Sequence, residues 1–205
     1  MDVVEQVRRV AEAARAAGRV LANASTARKD TALRAMAQGL RARYDQIREA
    51  NAQDVEGARA AGLSGALLDR LTLTDRRFDE MISSIEAVIR LADPVGQVIK
   101  EWRQPNGLLI RKVRVPIGTV GIIYESRPNV TSDCASLCLK SGNAVVLRGG
   151  AEAFRSNGAI ALSVQQALGS SGLPPAAVSL LPTAERSGVE MPIAEATHRV
   201  LFDGL

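Results

Sequence analysis

Histidine occurs once in this chain of 205 residues, at His198, and cysteine only twice, at Cys134 and Cys138. The two cysteines stand four apart, make no CxxC pair and have no cluster of histidines nearby, so no zinc or other metal site is expected. Aromatic residues make up 3% of the chain, which leaves few rings on which bases could stack. The 26 Lys and Arg are spread among 22 Asp and Glu with no dense basic run, so nucleic acid is not an expected partner despite a net charge of +4. No apolar run follows the opening MDVVEQVRRV, and neither a signal peptide nor a membrane span is expected. A cytoplasmic protein with reduced thiols is the resulting expectation. Neither GxGxxG nor a P-loop occurs, so the standard dinucleotide and nucleoside-triphosphate fingerprints are missing.

What remains is a hydrophobic fraction of 46%, built mainly from Ala, Val, Leu and Ile, which suits helices packed on a sheet in one or two domains. The first ninety or so residues have a helical period. Val3, Val7, Val10, Ala14, Ala17 and Leu21 form one stripe. Ser25 is a candidate N-cap for a second helix with the face Leu33, Met36, Leu40, Tyr44 and Ile47. A shorter helical piece from Ala52 to Ala61 ends at Gly62. Thr74 caps a further helix carrying Phe78, Met81, Ile85, Val88 and Ile89, and Asp93-Pro94 stops it.

The pattern then changes. VGQVIKEW and LLIRKVRV flank Gln104-Pro105-Asn106-Gly107, a hairpin signal, and Trp102 is expected to pack on the hairpin face. Thr119 to Ile123 reads as a buried strand. A helix capped by Thr131 or Ser132 runs to about Lys140, Ser141 to Asn143 turn the chain, and Ala144 to Leu147 is a second buried strand. The order strand, helix, strand predicts a parallel pair. A long helix from about Ala151 to Leu168 follows, closed by Gly169 to Gly172. Pro174-Pro175 then leads into Val178 to Leu181. The expected fold class is α/β, a helical N-terminal section feeding a doubly wound sheet.

Open parallel sheets bind ligands beyond the carboxyl ends of their strands. Two such ends are visible, Tyr124 to Asn129 and Arg148-Gly149-Gly150. The glycines let backbone approach a ligand and the guanidinium suits a phosphate, although Gly-Gly after a strand is also an ordinary turn. Asn129, just before a helix, either caps or turns the chain or aims its amide at a developing oxyanion. Cys134 and Cys138 share a helix face, where buried cysteines commonly act as small hydrophobes.

The segments RVPIGTVGIIYESRPNVT and ASLCLKSGNAVVLRGG resemble the γ-glutamyl phosphate reductase (glutamate-5-semialdehyde dehydrogenase) family of the aldehyde dehydrogenase superfamily. ANAQDVEGARAAGLSGALLDRLTLT and LADPVGQV upstream, and RSNGAIALSVQQAL and GLPPAAVSLL downstream, are similar to it in the same order, from about Val3 to Val189. The resemblance implies an aldehyde-dehydrogenase-like fold: a helical N-terminal section, a partial doubly wound Rossmann-like parallel sheet, and between Val95 and Val115 a β-hairpin of the oligomerisation type. It implies NADPH-dependent reduction of L-glutamate 5-phosphate to glutamate 5-semialdehyde and phosphate in L-proline biosynthesis, with a homo-oligomeric enzyme and glutamate 5-kinase as a partner. By motif, Asn129 takes the place of the oxyanion-stabilising asparagine and Arg148 that of the basic residue near the adenosine ribose, where it would meet the 2′-phosphate of NADPH. Ser126, Arg127 and Pro128 would line the cofactor groove with Gly149 and Gly150, Arg127 alternatively meeting the acyl phosphate. Neither cysteine matches the family nucleophile, which belongs to a later part of longer proteins, and residues 190–205 do not align. Residues 1–205 are therefore expected to be an incomplete N-terminal cofactor-binding domain without its catalytic domain. A frameshifted, truncated or fragmentary coding sequence would produce it. Such a chain would be inactive alone; a noncatalytic NADP-binding or interaction module is the alternative.

Overall fold

A computed structural model describes residues 3–181; His198 and the segment 190–205 lie outside the described residues. The first helix, α1 (Val3–Leu21), buries Val7, Ala14, Ala17 and Leu21 of the expected stripe. In α2 (Thr26–Ala42) the Ser25 hydroxyl accepts from the Arg28 amide at 3.3 Å, the cap its position predicts.

The helix expected to run on through Tyr44 and Ile47 is instead two. Arg43 takes φ −110° and ψ 18°, and α3 (Tyr44–Ala60) starts there, absorbing the piece expected from Ala52. A short α4 (Gly65–Leu71), not anticipated from the period, precedes α5 (Asp75–Arg90). The Thr74 hydroxyl caps α5 through the Arg77 amide.

Strands β1 (Val98–Arg103) and β2 (Leu109–Val113) form the hairpin, pairing antiparallel with Trp102 opposite Ile110. Its turn depends on Gly107 at φ 87°, a conformation side-chain-bearing residues rarely adopt. Trp102 lies beneath the Lys100 ammonium, 5.5 Å from the ring centroid. Every β1 residue is exposed.

The main sheet is parallel, with β3 (Thr119–Ile123), β4 (Ala144–Arg148) and β5 (Val178–Leu180) in the order β3-β4-β5. The crossovers are α6 (Asn129–Lys140) and α7 (Phe154–Ser170). Central β4 buries Ala144 to Leu147. Because side chains alternate between faces, both faces of this strand must be covered. Helix α6 covers one, beside α7, which packs on β5, and α1 covers the other. Outside α6 and α7 lies a further helical layer of α2, α3 and α5.

Two expectations need correction here. β3 is not a buried strand: it pairs only with β4 among the described residues and is partly exposed, Ile123 at 55%. Nor do Thr131 and Ser132 cap α6, which begins at Asn129. The Thr131 hydroxyl instead shares a hydrogen bond with the Tyr124 hydroxyl (2.7 Å) and donates to Asn157 Oδ1 (3.1 Å), while Ser132 donates to the Asn129 carbonyl. The Thr131 hydroxyl thus ties the strand end to α7, and the Ser132 hydroxyl stays within the first turn of α6.

Buried charges tie the helices to one another and to the segment that follows α5. Lys29, on α2, is 1% exposed at its side chain and sits 2.6 Å from Asp93, whose own exposure is 12%. Asp93 also accepts from Thr26 Oγ1 and the Val95 amide, so the stop after α5 doubles as an anchor. Lys140 at the end of α6 donates to Asp30 (2.7 Å) and to the Ile89 carbonyl (2.9 Å).

Candidate active site

β3 and β4 end in register, with Ile123 opposite Arg148, and the Tyr124 amide donates to the Arg148 carbonyl at 3.0 Å. The two predicted loops therefore start side by side. Both border the larger of two clefts, and the first loop continues past a small chamber to the second.

The larger cleft, about 910 Å³, lies between the strand ends, the start of α7 and α3, and Ser126, Arg148 and Gly150 line it. Among the described residues the Arg148 side chain has neither ion pair nor hydrogen bond, so its guanidinium is free for a ligand. Ser126 is buried and donates to Glu152 Oε1 at 2.6 Å. Across the cleft, buried Asp54 of α3 accepts from the Ser156 amide and hydroxyl, both at 2.7 Å, and from the Arg155 amide at 3.3 Å. A carboxylate on the first amides of α7 satisfies donors that the helix itself leaves open.

Gly149 faces inward. A Cβ there would overlap the amide nitrogen of Asn157, the residue that closes the Tyr124–Thr131–Asn157 network. Gly149→Ala should therefore cost about 1–3 kcal/mol through overpacking, read as a lowered urea midpoint. A variant as stable as wild type would show that Asn157 moves freely.

The second cleft, about 490 Å³, opens between α4, α5 and the start of α6, with Arg70, Arg77, Ser84, Arg127 and Asn129 among its walls. Arg127 and Asn129 are thus brought together, but away from Arg148. Between the clefts, a chamber of about 340 Å³ is lined by Arg70, Tyr124, Glu125, Ser126, Arg127 and Val130. Pro128, buried and helical at φ −58°, ψ −34°, sets the direction in which α6 leaves the loop.

Asn129 Nδ2 donates to Asp133 Oδ2 at 2.9 Å. A primary amide has two N–H donors, so one is fixed by Asp133 and the other remains for the cleft. Burial pushes the Asp133 carboxyl above its ordinary value, and the Asn129 hydrogen bond offsets that only in part. Burial likewise pushes the Tyr124 phenol up to about 12 against the opposing hydrogen bond from Thr131; it stays a neutral donor at physiological pH.

Both thiols are held protonated. Burial raises Cys134, with the Asp133 carboxyl adding to it, and burial raises Cys138 to about 11, with Cys134 adding to it. At pH 8 a thiol of that acidity is roughly one part in a thousand thiolate, which makes it a poor nucleophile. Disulfide-reagent labelling of the native chain should be orders of magnitude slower than in denaturant. Equal rates in the two conditions would mean the helix leaves its thiols open.

Several residues in or behind these walls were not singled out in the sequence. Asp133 carries a usable signal, standing one helical turn after Asn129. Asp54 and Arg70 carry none, since each joins the site from a distant part of the chain, whereas Glu152 stands two residues after Gly150. Among the described residues no three His, Cys, Asp or Glu side chains converge as a metal site would require. No described helix is long and apolar enough to cross a membrane.

A helical N-terminal part, a parallel sheet with clefts at its strand ends and an exposed antiparallel hairpin together make an aldehyde dehydrogenase fold. The aldehyde dehydrogenase family model matches residues 2–204, and the chain belongs to that family. Its curated relatives are more specific. It is 54% identical over 176 residues to the γ-glutamyl phosphate reductase of Rhodopseudomonas palustris strain HaA2, an alignment covering 86% of this chain and 41% of that protein. It is 49% identical over 188 residues to the γ-glutamyl phosphate reductase of Parvibaculum lavamentivorans, covering 92% and 44%. The crystal structure of γ-glutamyl phosphate reductase from Thermotoga maritima superposes with a TM-score of 0.87 at 47% identity, over 89% of this chain and 44% of that one. A salicylaldehyde dehydrogenase from Pseudomonas putida G7 shares the fold, with a TM-score of 0.71 at 20% identity, over 94% and 36%. The chain spans less than half the length of the curated relatives it matches.

Proposed function

We propose that this chain is the NADPH-gripping and oxyanion-stabilising part of a γ-glutamyl phosphate reductase of proline biosynthesis. The observation that carries the reading is the unpaired Arg148 at the end of β4, over the large cleft and one loop away from Asn129. The overall reaction would be acyl phosphate plus NADPH plus a proton giving aldehyde, NADP⁺ and inorganic phosphate. The nicotinamide, when bound, supplies the hydride.

The residues fit such a cofactor. Arg148 would take the 2′-phosphate by charge-assisted hydrogen bonds, Ser126 and Gly150 would border the groove, and Gly149 lets β4 end tightly against α7. Three carboxylates share the cleft with Arg148, and two of them are engaged, Glu152 by the Ser126 hydroxyl and Asp54 by the start of α7. Asn129, oriented by Asp133, would donate to the carbonyl oxygen as negative charge develops on it. Calorimetric titration of the purified chain with NADPH and NADH tests the reading: NADPH should bind more tightly, and no binding of either to the folded chain would refute it.

Because both thiols are protonated on a helix, they supply no nucleophile in this reading. The purified chain should not oxidise NADPH in the presence of γ-glutamyl phosphate. Turnover that vanishes on Cys134→Ser or Cys138→Ser would overturn that assignment. The same observation favours the second reading, a noncatalytic NADP-binding module.

The hairpin supports self-association. A two-stranded sheet exposed along β1, with Val98, Ile99 and Trp102 each at least 38% exposed, is marginal by itself. A second copy would cover it. Glutamate 5-kinase, which makes the acyl phosphate, is the partner this reading supplies, and the cytoplasm is its location.

A further inference from the structure

We infer that Arg70 and Arg127 form the binding site for the phosphoryl group of an acyl phosphate, in the cleft that also presents the Asn129 amide and apart from the cofactor cleft. The inference rests on the proposed reduction of an acyl phosphate and names the part of the site that holds its leaving group.

The charges in the second cleft single out these two arginines. Five charged side chains line it: Asp69, Arg70, Arg77, Glu80 and Arg127. Arg77 is already engaged, 2.9 Å from Asp69 and donating to the Thr72 carbonyl at 2.9 Å. Glu80 lies 3.7 Å from Arg76. Arg70 and Arg127 have no side-chain ion pair or hydrogen bond among the described residues. They come from unrelated elements, Arg70 from α4 and Arg127 from the loop before α6, yet both line the second cleft and also the small chamber. Two unpaired guanidinium groups bordering the second cleft favour an anion there, Glu125 lining only the chamber beside them, and planar N–H forks match phosphate oxygens.

Covalent geometry then ties that anion to Asn129. In an acyl phosphate the carbonyl oxygen and the phosphoryl oxygen are bonded to the same carbon. A substrate whose carbonyl faces the Asn129 amide must therefore carry its phosphoryl group only a few ångströms away. Arg127 is two residues before Asn129 and lines the same cleft; Arg148 lines the other. The amide donors at the start of α6 add partial positive charge on the same side. Arg127 accordingly belongs with the substrate and not the cofactor groove, and Arg70, distant in sequence, completes the grip.

The test uses the whole chain, with inorganic phosphate as probe, by calorimetry or phosphorus NMR at constant ionic strength, with the cofactor cleft filled by saturating NADP⁺. Phosphate should bind at one saturable site. The Arg70→Ala/Arg127→Ala double variant should lose about tenfold or more in phosphate affinity. Both side chains are exposed, so its melting temperature should stay close to wild type and exclude misfolding as the cause. Arg148→Ala should leave phosphate binding unchanged. L-glutamate, which offers only carboxylates, should compete weakly. The inference is overturned if wild type shows no saturable phosphate binding, if NADP⁺ displaces the phosphate, if the double variant binds it as tightly as wild type, or if glutamate competes equally. Failure of the function reading would look different: the chain would not bind NADPH in the absence of phosphate.

Discussion

Lys29→Ala should destabilise the fold by about 3–5 kcal/mol, the cost of leaving a buried carboxylate without its counter-charge, measured by equilibrium unfolding in urea. Lys29 and Asp93 are 2.6 Å apart and nearly sealed from water. Asp93 also fixes the chain between α5 and the hairpin through Thr26 and Val95. Burial pushes the Asp93 carboxyl up, but the hydrogen bonds from Lys29, Thr26 and the Val95 amide outweigh it and hold it below its ordinary 3.8. The native state therefore binds this proton less readily than the unfolded chain. The contribution is fully present above 3.8 and is lost as pH falls through the lower native value. The gap between wild type and Lys29→Ala should narrow over that acid range, because a protonated Asp93 needs no counter-charge. A gap that stays constant into acid would place the loss in packing alone. The apolar double replacement Lys29→Met/Asp93→Leu should recover most of the stability, since well-packed isosteres of buried pairs are often neutral.

Arg148→Ala should weaken NADPH binding by about 10- to 150-fold, the 1.5–3 kcal/mol of a charge-assisted hydrogen bond to phosphate, with little change for NADH. Calorimetry on both cofactors isolates the effect, because NADH lacks only the 2′-phosphate. Equal losses for the two would mean that Arg148 supports the cleft walls or meets the pyrophosphate. Its register partner Ile123 is exposed and its strand is held by backbone pairing on both sides, so removing the side chain should leave the melting temperature nearly unchanged. Arg148→Lys should retain part of the preference, a point charge replacing a fork.

The strand boundaries were legible because β3 and β4 are short β-branched runs between glycines and polar turns. Ser25 and Thr74 were legible as caps because each precedes an apolar period. The break at Arg43 was not. Leu40, Tyr44 and Ile47 continue the three-and-four spacing straight across it, with neither Gly nor Pro nearby. Packing imposes the break, since α2 and α3 must each lie along α7 while α2 also meets α5. The partial exposure of β3 was equally hidden: an edge strand and a central strand of the same composition differ only in their neighbours. At the candidate site, motif order singled out Ser126, Arg148 and Asn129, but it did not reveal that the first two line one cleft and Asn129 another. Asp54 and Asn51 reach Ser156 from more than a hundred residues away. No local pattern marks a side chain whose partner is that distant.

The division of labour between Ser126 and Asn129, three residues apart yet serving separate cavities, makes Tyr124 to Pro128 a dividing wall of fixed span. Its two ends are pinned, one by the Tyr124 amide on β4 and the other by the start of α6. Tyr124, Glu125 and Ser126 border the large cleft and the chamber, and Arg127 borders the chamber and the second cleft. Adding or deleting a single residue would shift these positions, turning a side chain from one cavity toward another. A change in residue number within this segment should therefore disturb the clefts more than a change in residue identity.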